Sequence, residues 1–293
     1  MAEHERSHKS SSEGKCRNII SGIVAFVLAV ICTLFTALLA VYFGFFNTNN
    51  IVTSFNQVEY YDRVMTHFEE KAWDITIPMG LPKEVVTDVV DIQKVSRDVK
   101  GSLSAGMDQG DYTVDTDRLE EALGRNVREY FQGQGMTLDE KQLQVLTEYK
   151  DAIATEYLTS VQIPLIQYFG YAKALYHKIM LIGLPICIII MVCAVTLLLS
   201  IRHWKHRGLR YMTYSTLGTA LMSAILPGAI LLSGIYQKLQ LSPDYFYDFI
   251  MNYIQGGLGV FLYSALVWLL ISGGCLLLIR FCKERFKQHG RRR

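Results

Sequence analysis

The chain has 293 residues, 51% of them apolar, with a formal net charge of +2. That balance excludes an ordinary soluble protein, and the small net charge decides nothing until its distribution is read. Residues 1–18 are polar, 19–46 apolar, 47–178 mixed and charged, and 179–281 mostly apolar, the pattern of a membrane protein with a polar insert.

Residues 1–18 are Ser-rich between 7 and 12 and read as a disordered tail. Residues 19–46 form the first run long enough to cross a bilayer, which takes about 20 residues. A cleaved signal peptide would have a shorter apolar region and an A-x-A-like site, so this run reads as an anchor that stays. Its small residues Ala25, Ala29, Thr33 and Ala37 form one stripe, and Thr36, Ala40 and Gly44 another, suited to close helix packing.

Residues 47–178 carry twenty-one Asp and Glu against thirteen Lys and Arg. An insert this acidic repels nucleic acid. Its periodicity predicts a bundle of four or five helices. Over 51–73, Ile51, Phe55, Val58, Met65 and Phe68 recur at three, four or seven residues. Pro78, Gly80 and Pro82 break the chain, and Leu81-Pro82 opens a second helix through Val85, Val89, Ile92, Val95 and Val99. A turn is expected at 106–110 and a short extended piece at 112–114. Asp115 or Asp117 caps the next helix, with Asp117 and Glu120 at reciprocal-cap spacing, and Gly133 and Gly135 end it. Thr137 and Glu140 form a second capping box, opening a long helix that Pro164 interrupts.

The second span is 179–201, the third 212–236 and the fourth 256–281, none with an Asp, Glu, Lys, Arg or His before Arg280. A charge at the bilayer centre costs roughly 3 kcal/mol, so such runs insert readily. Ala220, Ala224 and Gly228 repeat at four on the third span, and Gly256, Gly257 and Gly259 suit close packing on the fourth. Pro185 and Pro227 invite paired kinks. Between the third and fourth spans, 237–255 holds a short amphipathic helix with Ser242 as cap and Pro243 in its first turn. It is aromatic enough for the headgroup level or for docking on the large insert.

Orientation follows from Lys and Arg. The tail 1–18, the link 202–211 and the tail 282–293 are basic, whereas 237–255 has one lysine against two aspartates. The basic connectors are assigned to the cytosol, so both termini are cytosolic and 47–178 and 237–255 are extracytoplasmic. All six cysteines (Cys16, Cys32, Cys187, Cys193, Cys275, Cys282) fall in tails or spans, and the insert has none. With no N-x-[ST] acceptor outside, this leans toward a bacterial cytoplasmic membrane.

Catalytic, cofactor-binding and metal residues are each expected to be none. No G-x-S-x-G, H-E-x-x-H, C-x-x-C or phosphate loop occurs. The spans lack the carboxylates of coupled transporters. The acidic cluster Asp108, Asp111, Asp115, Asp117, Glu120 and Glu121 could hold calcium but lacks EF-hand spacing, and a charged helix start accounts for it. His203 and His206, beside Trp204 in the basic link, read as interfacial filler rather than a metal pair.

With Phe-Asn-Gln-Val-Glu-Tyr-Tyr at 55–61 and Leu-Pro-Lys-Glu-Val-Val at 81–86, the layout resembles uncharacterised four-helix membrane proteins of Gram-positive bacteria with a helical extracytoplasmic domain. That resemblance implies no activity and no site residues. The expectation is an all-α, non-enzymatic membrane protein that binds or senses a protein or envelope component, its other partner being the bilayer. The alternative is the membrane subunit of an ABC-type complex, since the loop order is similar to that of mechanotransmission subunits. The polar tail and the short 202–211 link depart from that pattern.

Overall fold

The computed structural model describes the backbone of residues 2–136, 139–201 and 205–290, and the side chains of 17–136, 139–201 and 208–281. The fold is all-α. The helices are α1 (Ala2–Phe45), α2 (Thr48–Gln57), α3 (Tyr60–Thr76), α4 (Ile92–Asp108), α5 (Asp117–Gly133), α6 (Glu140–Val161), α7 (Ile166–Ile201), α8 (Lys205–Ser233) and α9 (Asp244–Gly290). Four stretches, ending in α1, α7, α8 and α9, are long and apolar enough to cross a membrane. The chain divides into two compact units. An apolar unit comprises Met1–Asn50, Tyr176–Leu239 and Tyr253–Arg293, and a polar unit comprises Ile51–Leu175 with Gln240–Asn252.

In the apolar unit the other three spans bond to α1. Ala25 and Ala29 are buried, and their carbonyls accept hydroxyl hydrogen bonds from Ser215 (2.7 Å) and Thr219 (3.2 Å) of α8. From α9, Trp268 Nε1 donates to Thr36 Oγ1 (2.7 Å), which itself donates to the Cys32 carbonyl (2.7 Å). Leu28 and Cys32 meet Ala194 and Leu198 of α7, and the Tyr176 hydroxyl donates to the Leu38 carbonyl (2.9 Å). Gly44 lies so close to Gly257 that a Cβ there would stand 2.9 Å from the Gly257 carbonyl oxygen. Small residues are needed where backbones approach like this. The two α1 stripes therefore do pack. On α8 the hydroxyl row Ser215, Thr219 and Ser223 is buried, and of the expected row Ala220 is buried while Ala224 and Gly228 are half-buried. Outward, Ile179, Ile182, Ile186 and Ile189 form an exposed row along α7. Such a row is unfavourable in water and costs nothing in lipid.

Several local expectations are corrected. The segment expected as a disordered tail continues α1 from Ala2, since extending a formed helix adds a hydrogen bond for each residue fixed. The first predicted helix of the insert is two, because Glu59 takes φ 52° between α2 and α3. The helix expected from Pro82 is a single 3₁₀ turn, Lys83–Val85, and α4 starts at Ile92. The valines before it are β-branched and poor helix formers, and Val85, Val86 and Val90 are buried without α-helix. α4 runs through the turn expected at 106 and ends at Asp108. Thr116 is the cap of α5, with Asp115 Oδ1 accepting from the Asp117 amide (3.0 Å). The second capping box is formed by Asp139 and Gln142, while Thr137 lies outside the described residues. The amphipathic segment after Pro243 is no separate helix, because α9 runs from Asp244 without interruption.

The polar unit is built on α3, α4, α5 and α6. Val64, Phe68, Val99, Leu103, Leu123, Ile153 and Tyr157 are its buried centre. The segment Gln240–Asn252 packs on it. Phe249 lies against Phe55 (centroids 4.4 Å), Tyr245 against Tyr60 (5.3 Å), and Asp248 pairs with Arg63. Pro185 and Pro227 lie inside α7 and α8, which run on through them.

The α1–α8 seam sets a hierarchy of costs. Ala29 is only 4% exposed, with its Cβ facing Gly218 and its carbonyl bonded to Thr219, so a longer side chain at position 29 would push against α8. Ala29→Leu is expected to destabilise the full chain by about 2 kcal/mol through overpacking. Ser215→Ala is expected to cost only about 0.6 kcal/mol, the usual worth of one interhelical hydrogen bond in a membrane. Reversible unfolding in bicelles measures both.

Candidate functional site

The polar unit has a cleft of about 470 Å³ where α4, the strap 110–116 and the α6–α7 corner meet. Its walls include Ser102, Gly106, Asp111, Tyr112, Val114, Gln162, Ile163, Leu165, Gln167 and Tyr168. Each wall is held by an identifiable interaction.

The strap is fixed by a buried carboxylate. Asp98 on α4 is only 3% exposed. Its Oδ1 accepts from the Tyr112 hydroxyl (2.9 Å), and its Oδ2 from the Tyr157 hydroxyl (2.6 Å) and Lys94 Nζ (3.1 Å). Lys94 Nζ also donates to the Asp115 carbonyl at the far end of the strap (2.6 Å). A buried charge is tolerable only when paired and hydrogen-bonded, and Asp98 has both kinds of partner. The Tyr112 ring sits over Gly101, where any Cβ would run into it. Burial, and then the hydrogen bond to Asp98, raise the Tyr112 phenol above its ordinary value. Burial alone pushes Tyr61, in the same unit, up to about 12.

The second wall is the corner between α6 and α7. Val161 ends α6, Pro164 offers no amide proton, and Leu165 takes φ 61°. A left-handed leucine costs about 1–2 kcal/mol. The turn directs α7 across α4, where Ile166 covers Gly106, and Gly170 faces the Gly106 carbonyl too closely for a Cβ. The Leu165 side chain is 70% exposed and that of Tyr168 72%, beside the cleft.

The acidic cluster singled out in the sequence is not assembled. Asp108 pairs with Lys173 (2.8 Å), Asp115 Oδ1 accepts from the Asp117 amide (3.0 Å), and Glu120 accepts from Thr116 Oγ1 (3.2 Å). Among the described residues no three His, Cys, Asp or Glu side chains are grouped to hold a metal. The side chains of His203, Trp204 and His206 lie outside the described residues. Of the cluster, only Asp111 reaches the cleft. Sequence reading missed Asp98, Tyr112 and Tyr157 as a group, because they stand 14 and 59 residues apart and meet only through the fold. One signal was available. Lys94 and Asp98 are four apart on one helix, and Asp98 interrupts the apolar series Val95, Val99, Leu103.

No protein-family model matches this chain, nor does any curated protein or solved structure.

Three outcomes check this geometry. Asp98→Ala strands three donors and is expected to cost about 3 kcal/mol or more, whereas Tyr112→Phe costs about 1.5 kcal/mol. Chemical unfolding followed by near-ultraviolet dichroism measures the difference. Leu165→Gly removes the left-handed strain and loses little packing. It should stabilise the chain by roughly 0.5 kcal/mol, the strain relieved less the entropy glycine loses on folding. Finally, the folded unit holds the Tyr61 and Tyr112 protons more tightly than the unfolded chain, whose phenols titrate near about 10. The Tyr61 contribution is complete below pH 10 and is lost as pH rises from about 10 toward about 12, and the Tyr112 contribution is likewise lost on the alkaline side. Tyr61→Phe should flatten the alkaline loss of helix dichroism over that window.

Proposed function

We propose that the chain is a non-enzymatic, multi-pass protein of the cytoplasmic membrane. In this reading its termini are cytosolic and its acidic helical unit lies outside, where it binds or senses a protein or envelope component through the braced cleft. Orientation rests on the basic residues of the tails and of the 202–211 link. Binding rests on one observation, a cleft of about 470 Å³ whose strap is tied to a buried carboxylate. A pre-formed wall loses little freedom when a ligand arrives, which favours affinity. The cleft lining has Asp111 as its ionisable carboxylate, with no nucleophile–base pair beside it, so recognition suits it better than catalysis.

The test has two arms. A cysteine at Asp151 should react with an impermeant thiol reagent in intact cells, and labelling only after lysis would invert the orientation. A photo-crosslinking residue at Gln162 in native membranes should give a discrete adduct that the same residue at Glu121, away from the cleft, does not. Equal adducts at both positions, or none, would defeat the binding reading. Recovery of a stoichiometric cytosolic ATPase with the full chain would replace it with the ABC-type alternative.

A further inference from the structure

The chemistry of the cleft narrows what enters it. Its lining contains no Lys, Arg or His, and Asp111 is exposed at its edge. Anionic ligands therefore meet no countercharge, and a cation meets a carboxylate.

Two stretches of non-helical backbone border the space. Residues 111–114 of the strap are in neither helix nor strand and make no backbone–backbone hydrogen bond among the described residues. Opposite them, Gln162 is extended, at φ −76° and ψ 132°. The side-chain amides of Gln162 and Gln167 are exposed and make no hydrogen bond within the described residues. A primary amide offers one acceptor and two donors, the complement of a peptide group. Unpaired main chain beside a cleft is what an added extended chain pairs with, and alternate side chains then enter pockets.

Beside the hydroxyls of Ser102 and Thr159, one side of the lining is apolar: Val114, Ile163, Pro164, Leu165 and Ile166. It suits an aliphatic side chain. A sugar would need open aromatic faces, and Tyr112 is committed to its slot over Gly101, leaving Tyr168 as the open ring of the lining.

We propose that the cleft takes an extended polypeptide segment carrying a basic residue next to an aliphatic one. The segment pairs with the 111–114 main chain, its cation meets Asp111, and its aliphatic side chain lies against Ile163 and Leu165. This rests on the binding reading above and assigns its ligand class.

The experiment is selection of a displayed random peptide library on the full chain in lipid nanodiscs, with empty discs as the counter-selection. Enriched peptides should pair Lys or Arg with Leu, Ile or Val. Their affinity should fall about fivefold in Asp111→Asn and tenfold or more in Leu165→Ala. Both side chains are exposed, so neither change removes buried contacts. Asp111→Lys should turn the selection toward acidic peptides. The inference is overturned by no enrichment over empty discs, by enrichment of acidic peptides on the unaltered chain, or by affinity that neither substitution moves. A cleft adduct in the crosslinking experiment together with failed selection would sink the peptide assignment alone. Loss of the adduct would sink the binding reading beneath it.

Discussion

Lipid offers a backbone no hydrogen-bond partner and no hydrophobic reason for two helices to meet. What joins the spans must come from close packing and from the few polar groups the helices carry. α1 supplies both. Its carbonyls at Ala25, Ala29 and Leu38 accept hydroxyls from two other helices, and Thr36 accepts the indole of a third. The donors Ser215 and Thr219 also return a bond to their own helix at Tyr211 and Ser215, so neither hydroxyl spends its whole capacity between helices. A helix with larger side chains at positions 25 and 29 could not come close enough to accept these bonds. The small-residue stripe and the hydroxyl row are two halves of one contact.

The polar unit meets the same constraint in a different solvent. Asp98 is as cut off from water as a residue in a span, and it is satisfied by the same means, with two phenols and one ammonium. The two units differ in what these bonds secure. In the apolar unit they hold helix to helix, while in the polar unit Asp98 holds both a helix, through Tyr157, and a loop, through Tyr112. The strap 110–116 has no helix of its own and gains its position from Tyr112 and Lys94. Exposed groups on that strap are thereby held in place without being buried.

How far the sequence could be read depended on the range of the interaction. The four spans were legible because a run of uncharged residues is a local property. The stripes Ala25–Ala29 and Thr36–Ala40–Gly44 were legible for the same reason, as fixed spacing on one helix. The hydroxyl row of α8 was not, since alanine and serine are equally small and only the position of the α1 carbonyls makes Ser215 and Thr219 donors to them. Local propensity also misplaced the start of α4. A proline in a first turn is a real signal, but the valines after it found burial without α-helix, and tertiary packing prevailed. The cleft was the least legible, because its walls come from three separate stretches of chain.

The α6–α7 corner bears on what the cleft is for. A turn that needs a left-handed residue is met most cheaply by glycine, which has no Cβ to clash. Here the position holds leucine, at φ 61°. Strain of this size persists when surrounding packing fixes the backbone, and Val161, Ile163 and Ile166 on either side are anchored in the unit. Packing explains why the backbone stays, but not why the residue is leucine, since its side chain is 70% exposed and adds little to the core. Folding alone gives this leucine no advantage over glycine. A ligand in the proposed cleft would give it one, since Leu165 is part of the cleft wall.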